Sequence, residues 1–375
     1  MFIRFQKEAL KKAFFKQKII VLVGPRQVGK TTMLKEIAHE MSLDFKWFNG
    51  DEADMKQRLS NTTSTELAQL IGNSKLIIID EAQLIDNIGT TLKLFADNFT
   101  DIQVIATGSS AFDLRNKLNE PLTGRKKEFH LFPISYSETV NHLGRMEAKR
   151  LLETRLIYGM YPEVLNNIGE EKSVLQELLG SNLYKDLLMV EGIQKPVLLQ
   201  KLLEALAFQV GSEVSYHELG QLLGKVNPAT IEKYIDLLEK AFIIFRLHAL
   251  SRNQRNEIKK GKKIYFYDNG VRNALIKSFN PLTLRNDVGV LWENYIISER
   301  MKANEYNKVW VNKYFWRTTD QAEIDYIEEE NEQLRCTEFT WKISRKKQLP
   351  KSFQASYPNH TFEIITKENF EEFIR

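Results

Sequence analysis

The most informative segment of this chain is Ile19-Ile-Val-Leu-Val-Gly24-Pro-Arg-Gln-Val-Gly29-Lys30-Thr31. Five apolar residues run directly into a glycine-rich turn, and a pattern with helical spacing follows Thr31. A strand, a turn of the form G-x-x-x-x-G-K-T and a helix, in this order, are the signature of a phosphate-binding loop. The sequence therefore predicts an α/β sheet whose first strand ends at a nucleotide site.

Each residue type in this loop has a physical task. The glycines let backbone N–H groups curl around phosphate oxygens, and the helix N-terminus that follows favours an anion. Lys30 is expected to reach the β- and γ-phosphates of ATP, and Thr31 is expected to ligate Mg²⁺. The predicted nucleotide contacts are Gly24, Pro25, Arg26, Gln27, Val28, Gly29, Lys30, Thr31 and Thr32.

An acidic pair follows a second apolar run, Leu76-Ile-Ile-Ile-Asp80-Glu81. A buried strand that ends in two carboxylates is the expected partner of a phosphate-binding loop. We predict that Asp80 holds Mg²⁺ and that Glu81 orients or deprotonates the attacking water. The alternative is a buried strand that merely ends in acidic residues.

A third apolar run, Gln103–Ala106, leads into Thr107, Gly108 and Ser109. In a parallel sheet this position lies beside the first two motifs, where a hydroxyl can contact the γ-phosphate or the water. Thr107 and Ser109 are therefore candidate site residues, and we place Ser109 with Lys30 and Glu81 in the catalytic set. An ordinary polar turn is the alternative.

Short apolar runs alternate with helical patterns over the first 135 residues, which is typical of a parallel sheet flanked by helices. The predicted strands here are Ile19–Val23, Phe45–Phe48, Leu76–Ile79, Gln103–Ala106 and Glu128–Phe132. Residues 1–18 mix aromatic and basic side chains, and they are predicted to form an amphipathic helix that packs on this core.

Patterning divides the chain into four predicted parts. They are an α/β core (1–135), a helical lid or linker (136–195), a winged helix (196–262) and a second α/β domain (263–375). The strands predicted for the last part are Ile264–Tyr267, Val309–Val311, Tyr314–Trp316, Glu323–Ile327, Leu334–Phe339 and Phe362–Ile365, with a helix around Val290–Met301.

The predicted winged helix has two helix starts and a basic turn. Ser215 with Glu218 indicates a capping box, and Asn227 before Pro228 indicates an N-cap followed by proline at the first helical position. The segment Arg252–Lys263 then holds six basic residues in twelve. A basic hairpin can follow phosphates without reading bases. DNA is therefore the preferred partner, and a solvated turn is the alternative.

The segments GPRQVGKTT, LIIIDEAQ and VIATGSSA resemble a branch of prokaryotic AAA-type ATPases that includes archaeal ATPase-like proteins. In that branch a helical segment, a winged helix and a domain resembling the PD-(D/E)xK nuclease fold follow the ATPase core. Leu122-Thr-Gly124-Arg125 and Tyr158-Gly-Met-Tyr-Pro162-Glu163 resemble two further elements of the branch. The resemblance implies that Arg125 is a catalytic arginine finger acting across a subunit boundary, with Arg115 as the runner-up. A plain surface arginine is the alternative.

The resemblance also bears on a nuclease site. It implies that Glu293, Asp325 and Glu338 supply the carboxylates of a PD-(D/E)xK arrangement. The position of the lysine, however, is occupied by Thr340, and the nearest lysine is Lys342. Strand alternation predicts that Lys342 lies on the same face as Glu338, displaced by about 7 Å from the usual position. This departure favours a degenerate nuclease fold that serves binding or assembly.

Composition sets the remaining limits. The chain has 375 residues, 53 basic against 49 acidic, and a single cysteine, Cys336, which excludes an internal disulfide framework and a four-cysteine zinc site. No apolar run approaches the length needed to span a bilayer, so we expect a cytoplasmic protein without a membrane partner.

The sequence as a whole predicts an ATP- and Mg²⁺-dependent ATPase, oligomeric with itself, that couples its nucleotide state to DNA binding or remodelling. One alternative is a nucleotide-controlled switch or scaffold that binds protein. Another is an ATP-gated nuclease.

Overall fold

The computed structural model describes residues 2–109, 118, 122–183, 195–251, 261–318, 321–342 and 348–375. The chain separates into two compact units. The first consists of Met1–Ile134 with Lys240–Phe242, and the second consists of Ser135–Glu239 with Ile243–Arg375. The finer division of the second unit at residues 195/196 and 262/263 remains a prediction.

Parallel strands form the sheet of the first unit, in the order β2-β3-β4-β1-β5 among the described residues. The strands are β1 (Ile19–Val23), β2 (Phe45–Asn49), β3 (Leu76–Asp80), β4 (Gln103–Gly108) and β5 (Lys126–His130). β1 and β4 are buried along their whole length, which explains their continuous apolar sequence. The predicted fifth strand, Glu128–Phe132, is two residues out of place because the pairing with β1 begins opposite Ile19 at Lys126.

Among the described residues of the first unit, one α-helix precedes β1 and four lie between the strands. They are α1 (Phe5–Lys11), α2 (Lys30–Glu40), α3 (Ala53–Leu59), α4 (Ser64–Ile71) and α5 (Ile88–Asn98). The predicted N-terminal helix is therefore only two turns long. It is tied to α2 by Lys7, whose ammonium lies 3.0 Å from Glu36 and 2.6 Å from Glu40.

The second unit begins with short helices and ends in a mixed region. Its helices are α6 (Tyr136–Leu143), α7 (Arg145–Arg150), α8 (Leu152–Tyr158), α9 (Pro162–Asn166), α10 (Glu171–Glu177), α11 (Pro196–Phe208), α12 (Tyr216–Leu222), α13 (Pro228–Lys240), α14 (Asn269–Leu275), α15 (Val288–Asn307), α16 (Lys351–Ser356) and α17 (Phe370–Phe373). None of the helices in the described part of the chain is long and apolar enough to cross a bilayer.

The start of α13 follows its predicted cap, and the start of α12 shows the Ser215 half of the predicted capping box. The Ser215 hydroxyl accepts the Glu218 backbone N–H at 3.3 Å, and the Asn227 side chain accepts the Ala229 N–H at 2.9 Å. Pro228 is the first residue of α13. Local capping chemistry thus fixed both helix starts, as expected.

A mixed sheet crosses the second unit, in the order β12-β11-β10-β9-β7-β8-β6 among the described residues. Its strands are β6 (Glu213–Val214), β7 (Ile244–Ala249), β8 (Lys262–Phe266), β9 (Asn312–Arg317), β10 (Glu323–Glu330), β11 (Gln333–Phe339) and β12 (His360–Ile365). β7 and β8 form an antiparallel pair, and β7 also pairs in parallel with β9. The strand pair predicted for a wing therefore continues into the sheet of the last part of the chain.

Two predicted strands are corrected by this sheet. Val309–Val311 lies in no strand, and the strand predicted at Tyr314–Trp316 spans Asn312–Arg317. The reason is that α15 runs on to Asn307 and ends in a left-handed Lys308, so that the chain enters β9 only at Asn312. The α/β fold class, with a parallel sheet first and a second sheet later in the chain, is confirmed.

Candidate nucleotide-binding site

The loop Gly24–Gly29 joins the end of β1 to the start of α2, where the sequence places it. A Cβ atom on Gly24 would lie 2.0 Å from the carbonyl oxygen of Leu131, so no larger residue fits at this position. Gly29 has φ +92°, a left-handed conformation that favours glycine. The two glycines are therefore required by close approach at one end of the loop and by backbone conformation at the other.

Lys30 lies inside the loop. Its ammonium donates to the carbonyl oxygens of Gly24 at 2.7 Å and Pro25 at 2.9 Å, and the residue is only 5% exposed. This buried cation and the positive end of the helix dipole both favour binding of an anion at the loop. The loop therefore fits a phosphate group, with Lys30 as its counter-ion.

The other predicted loop residues divide by exposure. The side chain of Val28 is fully buried and that of Thr32 is exposed, so the contribution of Val28 would come from its backbone. Gln27 has φ +60° and is exposed at the tip of the turn.

Arg4 hydrogen-bonds to the backbone of the loop, and it was not predicted as a site residue. Its guanidinium donates to the carbonyl oxygen of Val28 at 2.5 Å and to that of Phe132 at 2.6 Å, and Arg4 is 6% exposed. These bonds join the loop to the chain after β5. No local pattern indicates this contact, because 24 and 128 residues separate the partners in sequence.

Asp80 lies beside the loop at the end of β3. Thr31 donates its hydroxyl to Asp80 Oδ2 at 3.0 Å, and Thr107 donates its hydroxyl to Asp80 Oδ1. β4 is the neighbour of both β1 and β3, so the three motifs meet at the carboxyl edge of the sheet. A hydroxyl and a carboxylate are oxygen ligands of the kind that Mg²⁺ prefers, so Thr31 and Asp80 fit this ion.

Both the backbone and the side chain of Glu81 make hydrogen bonds. It has φ +48°, and its N–H donates to the Thr107 hydroxyl at 3.3 Å. Its carboxylate accepts a bond of 2.6 Å from the side-chain amide of Gln83, which also donates to the Ser109 hydroxyl at 3.1 Å. The structure therefore brings Glu81 and Ser109 together through Gln83, a residue that the sequence analysis did not single out.

Arg125 lies away from these groups within the chain. It immediately precedes β5, whose first residue pairs with Ile19 at the start of β1, whereas the loop follows the end of β1. Five residues of strand, about 16 Å, separate the two edges. The Arg125 guanidinium contacts Asp97 at 2.7 Å and its side chain is 42% exposed. Arg115, the runner-up, lies outside the described residues.

The predicted nuclease carboxylates lie in the second unit. The Glu293 carboxylate accepts the Tyr265 hydroxyl at 2.7 Å and lies 3.6 Å from the Lys263 ammonium, which also pairs with Glu323. Burial, and then the charge of Asp325, raise the pKa of Glu293 to about 7. Burial opposes the charge on Lys263, yet Glu293 and Glu323 raise the pKa of this lysine.

Two expectations about lysines in the second unit are wrong. Lys342 does not share a strand face with Glu338, because β11 ends at Phe339 and Lys342 lies exposed beyond it. Lys263 is 2% exposed, so it is not part of a DNA-contacting surface. Lys262 faces the Tyr216 ring at 4.8 Å, while the rest of the predicted basic wing, residues 252–260, lies outside the described residues. In the described part of the chain, no three His, Cys, Asp or Glu residues are grouped so that they could hold a metal ion.

The Tyr158–Glu163 element of the resemblance belongs to a buried hydrogen-bond network that includes Asp268 and Asn294. The Asp268 carboxylate accepts the Met160 N–H at 2.6 Å, and a Cβ on Gly159 would collide with it. Asn294 donates to Asn269 at 2.6 Å and to the carbonyl of Phe266 at 3.0 Å. These residues therefore hold α8, α14 and α15 against β8.

Comparisons with known proteins cover most of the chain. Family models match three successive stretches: an AAA domain over residues 16–140, and domains of unknown function DUF8612 and DUF4143 over residues 149–282 and 288–372. An uncharacterised protein of Mycobacterium tuberculosis is 27% identical over 325 residues, which are 85% of this chain and 69% of that protein. Another, from Haemophilus influenzae, is 23% identical over 382 aligned positions, covering 94% of this chain and 90% of that protein.

A solved structure shares the fold. The Walker-type ATPase paby2304 of Pyrococcus abyssi aligns with a TM-score of 0.52 at 17% identity, covering 74% of this chain and 96% of that chain. This likeness concerns the fold alone.

Proposed function

We propose, from the AAA-type P-loop domain formed by residues 16–140, that the protein binds ATP with Mg²⁺ and hydrolyses it to ADP and phosphate. The observation that carries this proposal is the meeting of Lys30, Thr31, Asp80 and Glu81 at one edge of the sheet. The buried Lys30 ammonium and the backbone of the loop would hold the phosphates. Bound Mg²⁺ would neutralise developing charge on the phosphate oxygens, and Thr31 with Asp80 would hold it.

The remaining roles follow from position. Glu81, next to Asp80, would orient the attacking water and accept its proton. Ser109 lies one residue beyond the end of β4, close enough to Glu81 to be joined to it through one side chain, and it would contact the γ-phosphate. Arg125 cannot reach this edge from its own subunit without unfolding β5, so we assign it to the site of a neighbouring copy. Hydrolysis therefore requires self-association.

Nucleotide binding is tested with Lys30→Ala. Removing the ammonium leaves the phosphates without their buried counter-ion, so affinity for an ATP analogue should fall by at least about 100-fold, or about 3 kcal/mol. Lys35→Ala, on the same helix but over the Trp47 ring at 5.2 Å, is the control and should bind normally. Titration with a fluorescent ATP analogue measures both. Wild-type affinity in Lys30→Ala would contradict the proposed site.

The coupled partner that we propose is DNA. The support is the basic sequence of residues 252–260, which connects β7 to β8 after two capped helices, an order typical of a winged helix. Four basic residues remain in the proposed contact once Lys262 and Lys263 are set aside. DNA-stimulated hydrolysis would support this coupling, whereas hydrolysis unaffected by DNA would favour a nucleotide-controlled protein scaffold.

A nuclease is the less favoured alternative, and the lysine in the cluster is the reason. The ammonium of Lys263 lies 3.6 Å from Glu293, one of the carboxylates that a divalent ion would need, and it also pairs with Glu323. We therefore propose that this part of the chain serves binding or assembly. Incubation of DNA with Mg²⁺ or Mn²⁺ tests this view, and cutting that disappears in Asp325→Ala would overturn it.

A further inference from the structure

Gln83 occupies a central place beside the proposed site. It lies in the short 3₁₀ turn Ala82–Leu84 that directly follows Glu81, and it is 6% exposed. Its amide nitrogen donates to Glu81 Oε2 at 2.6 Å and to Ser109 Oγ at 3.1 Å. One side chain thus joins the proposed catalytic carboxylate, which directly follows β3, to the hydroxyl one residue beyond the end of β4.

The chemistry of the partners fixes the direction of these bonds. An ionised carboxylate only accepts hydrogen bonds, so the atom of Gln83 that faces Glu81 must be the amide nitrogen. That nitrogen carries two hydrogens, one for each partner. A bond from a buried amide to a charged acceptor is among the stronger hydrogen bonds, and it restricts where the carboxylate can point.

We propose that Gln83 is a positioning residue that orients the Glu81 carboxylate and links it to Ser109. This inference rests on the proposed ATPase function, since it concerns the same carboxylate. Gln83 itself does not touch the reacting atoms. The Ser109 hydroxyl can accept from Gln83 while it donates its own hydrogen to a γ-phosphate, so a shift of Ser109 towards that phosphate would move Gln83, and the orientation of Glu81 would respond to the nucleotide. The site would then distinguish ATP from ADP through this one side chain.

The test uses Gln83→Met, which keeps the buried volume but cannot donate. Gln103→Met is the matched control, because Gln103, in β4, is a buried glutamine like Gln83. Its side-chain nitrogen donates to the carbonyl oxygens of Lys18 at 3.1 Å and Val104 at 2.8 Å. Gln83→Glu provides a second variant of equal size that places a carboxylate against that of Glu81. The full chain is used throughout.

We expect Gln83→Met to lower kcat by about 10- to 100-fold while affinity for an ATP analogue stays within about threefold of wild type. Gln83→Glu should lose more. Gln103→Met should keep wild-type kcat even if it lowers Tm as much. Hydrogen exchange gives a readout without turnover: the amides of Leu84 and Ile85, which close the 3₁₀ turn, should exchange faster in Gln83→Met only.

A double variant separates positioning from general stability. If Gln83 acts through Glu81, adding Gln83→Met to Glu81→Gln should lower turnover no further. Losses that multiply, or an equal loss in Gln103→Met, would overturn the inference. Wild-type turnover in Gln83→Met would also overturn it, while leaving the proposed ATPase function intact. A wild-type protein that neither binds nor hydrolyses ATP would instead remove the proposed function.

Discussion

At the scale of single residues, the structure gives Glu293 an unusual environment. The carboxyl is buried beside Asp325, and its pKa is raised from 4.5 to about 7. The folded protein therefore holds more protons than the unfolded chain between these two pH values. The contribution of Glu293 to the free energy of unfolding is therefore fully present below about pH 4.5. It is lost as the pH rises towards 7, and the loss is at most about 3 kcal/mol.

Glu293→Gln tests this pH dependence. Because glutamine does not ionise, the variant should lose the decline in unfolding free energy between pH 5 and 7. Tyr265→Phe removes the hydrogen bond that favours the ionised form, so it should extend the decline to higher pH. Urea unfolding at a series of pH values measures both. An unchanged slope in Glu293→Gln would show that another group is responsible.

Some residues of the candidate site could be predicted from the sequence, and others could not. Lys30, Thr31, Asp80 and Glu81 lie in short motifs whose residue types and order are dictated by phosphate and magnesium chemistry, so they were predictable. Arg4 and Lys263 were not. Their partners are far away in sequence, and a basic residue in a basic segment gives no sign that it will be buried.

Among the elements of the first unit, strand pairing separates Arg125 from the phosphate-binding loop. It precedes β5, at the opposite edge from the loop, and it is joined to Asp97. The parallel alternation of strands and helices was predictable from the apolar runs. The ends of strands were less so: β11 stops at Phe339, where the pattern alone allowed it to continue to Lys342.

A mixing experiment tests whether Arg125 acts on a neighbouring copy. Arg125→Ala should lower turnover by about 10³-fold or more, since a missing guanidinium leaves transition-state charge unneutralised. Mixed with Lys30→Ala subunits, it should regain activity, because each supplies what the other lacks. Wild-type activity should also rise more than linearly with protein concentration.

Lys127→Ala, two residues further along β5, is the control and should retain turnover. Activity per subunit that does not depend on concentration, together with no rescue on mixing, would contradict a finger supplied by another copy.

At the scale of the whole molecule, one mixed sheet runs from β6 to β12 through the second unit. A winged helix (196–262) and a second α/β domain (263–375) were predicted there from separate local patterns, and this division remains a prediction. The parallel pairing of β7 with β9 joins residues more than sixty positions apart, and no sequence period indicates it. The proposed coupling of nucleotide state to DNA belongs to this scale, since it would involve residues of both units.

Salt dependence tests the proposed DNA contact. Replacing Arg252, Arg255, Lys259 and Lys260 with alanine removes four charges from the basic segment. If each contacts one phosphate of a duplex, the slope of log affinity against log salt should flatten by about 3 to 4 units. Lys262→Ala should leave the slope unchanged, because this ammonium faces Tyr216 and Glu232. Equal slopes for the fourfold variant and wild type would remove this segment from the contact.

We propose that ATP is hydrolysed at the edge of the sheet where Lys30, Thr31, Asp80 and Glu81 meet. The most direct measurement compares bound nucleotide and phosphate release in wild type and Glu81→Gln, with Mg²⁺ present. Glutamine keeps the size of the side chain but cannot accept the proton. ATP should remain bound with wild-type affinity while turnover falls by about 100-fold or more. Undiminished phosphate release from Glu81→Gln would contradict the account.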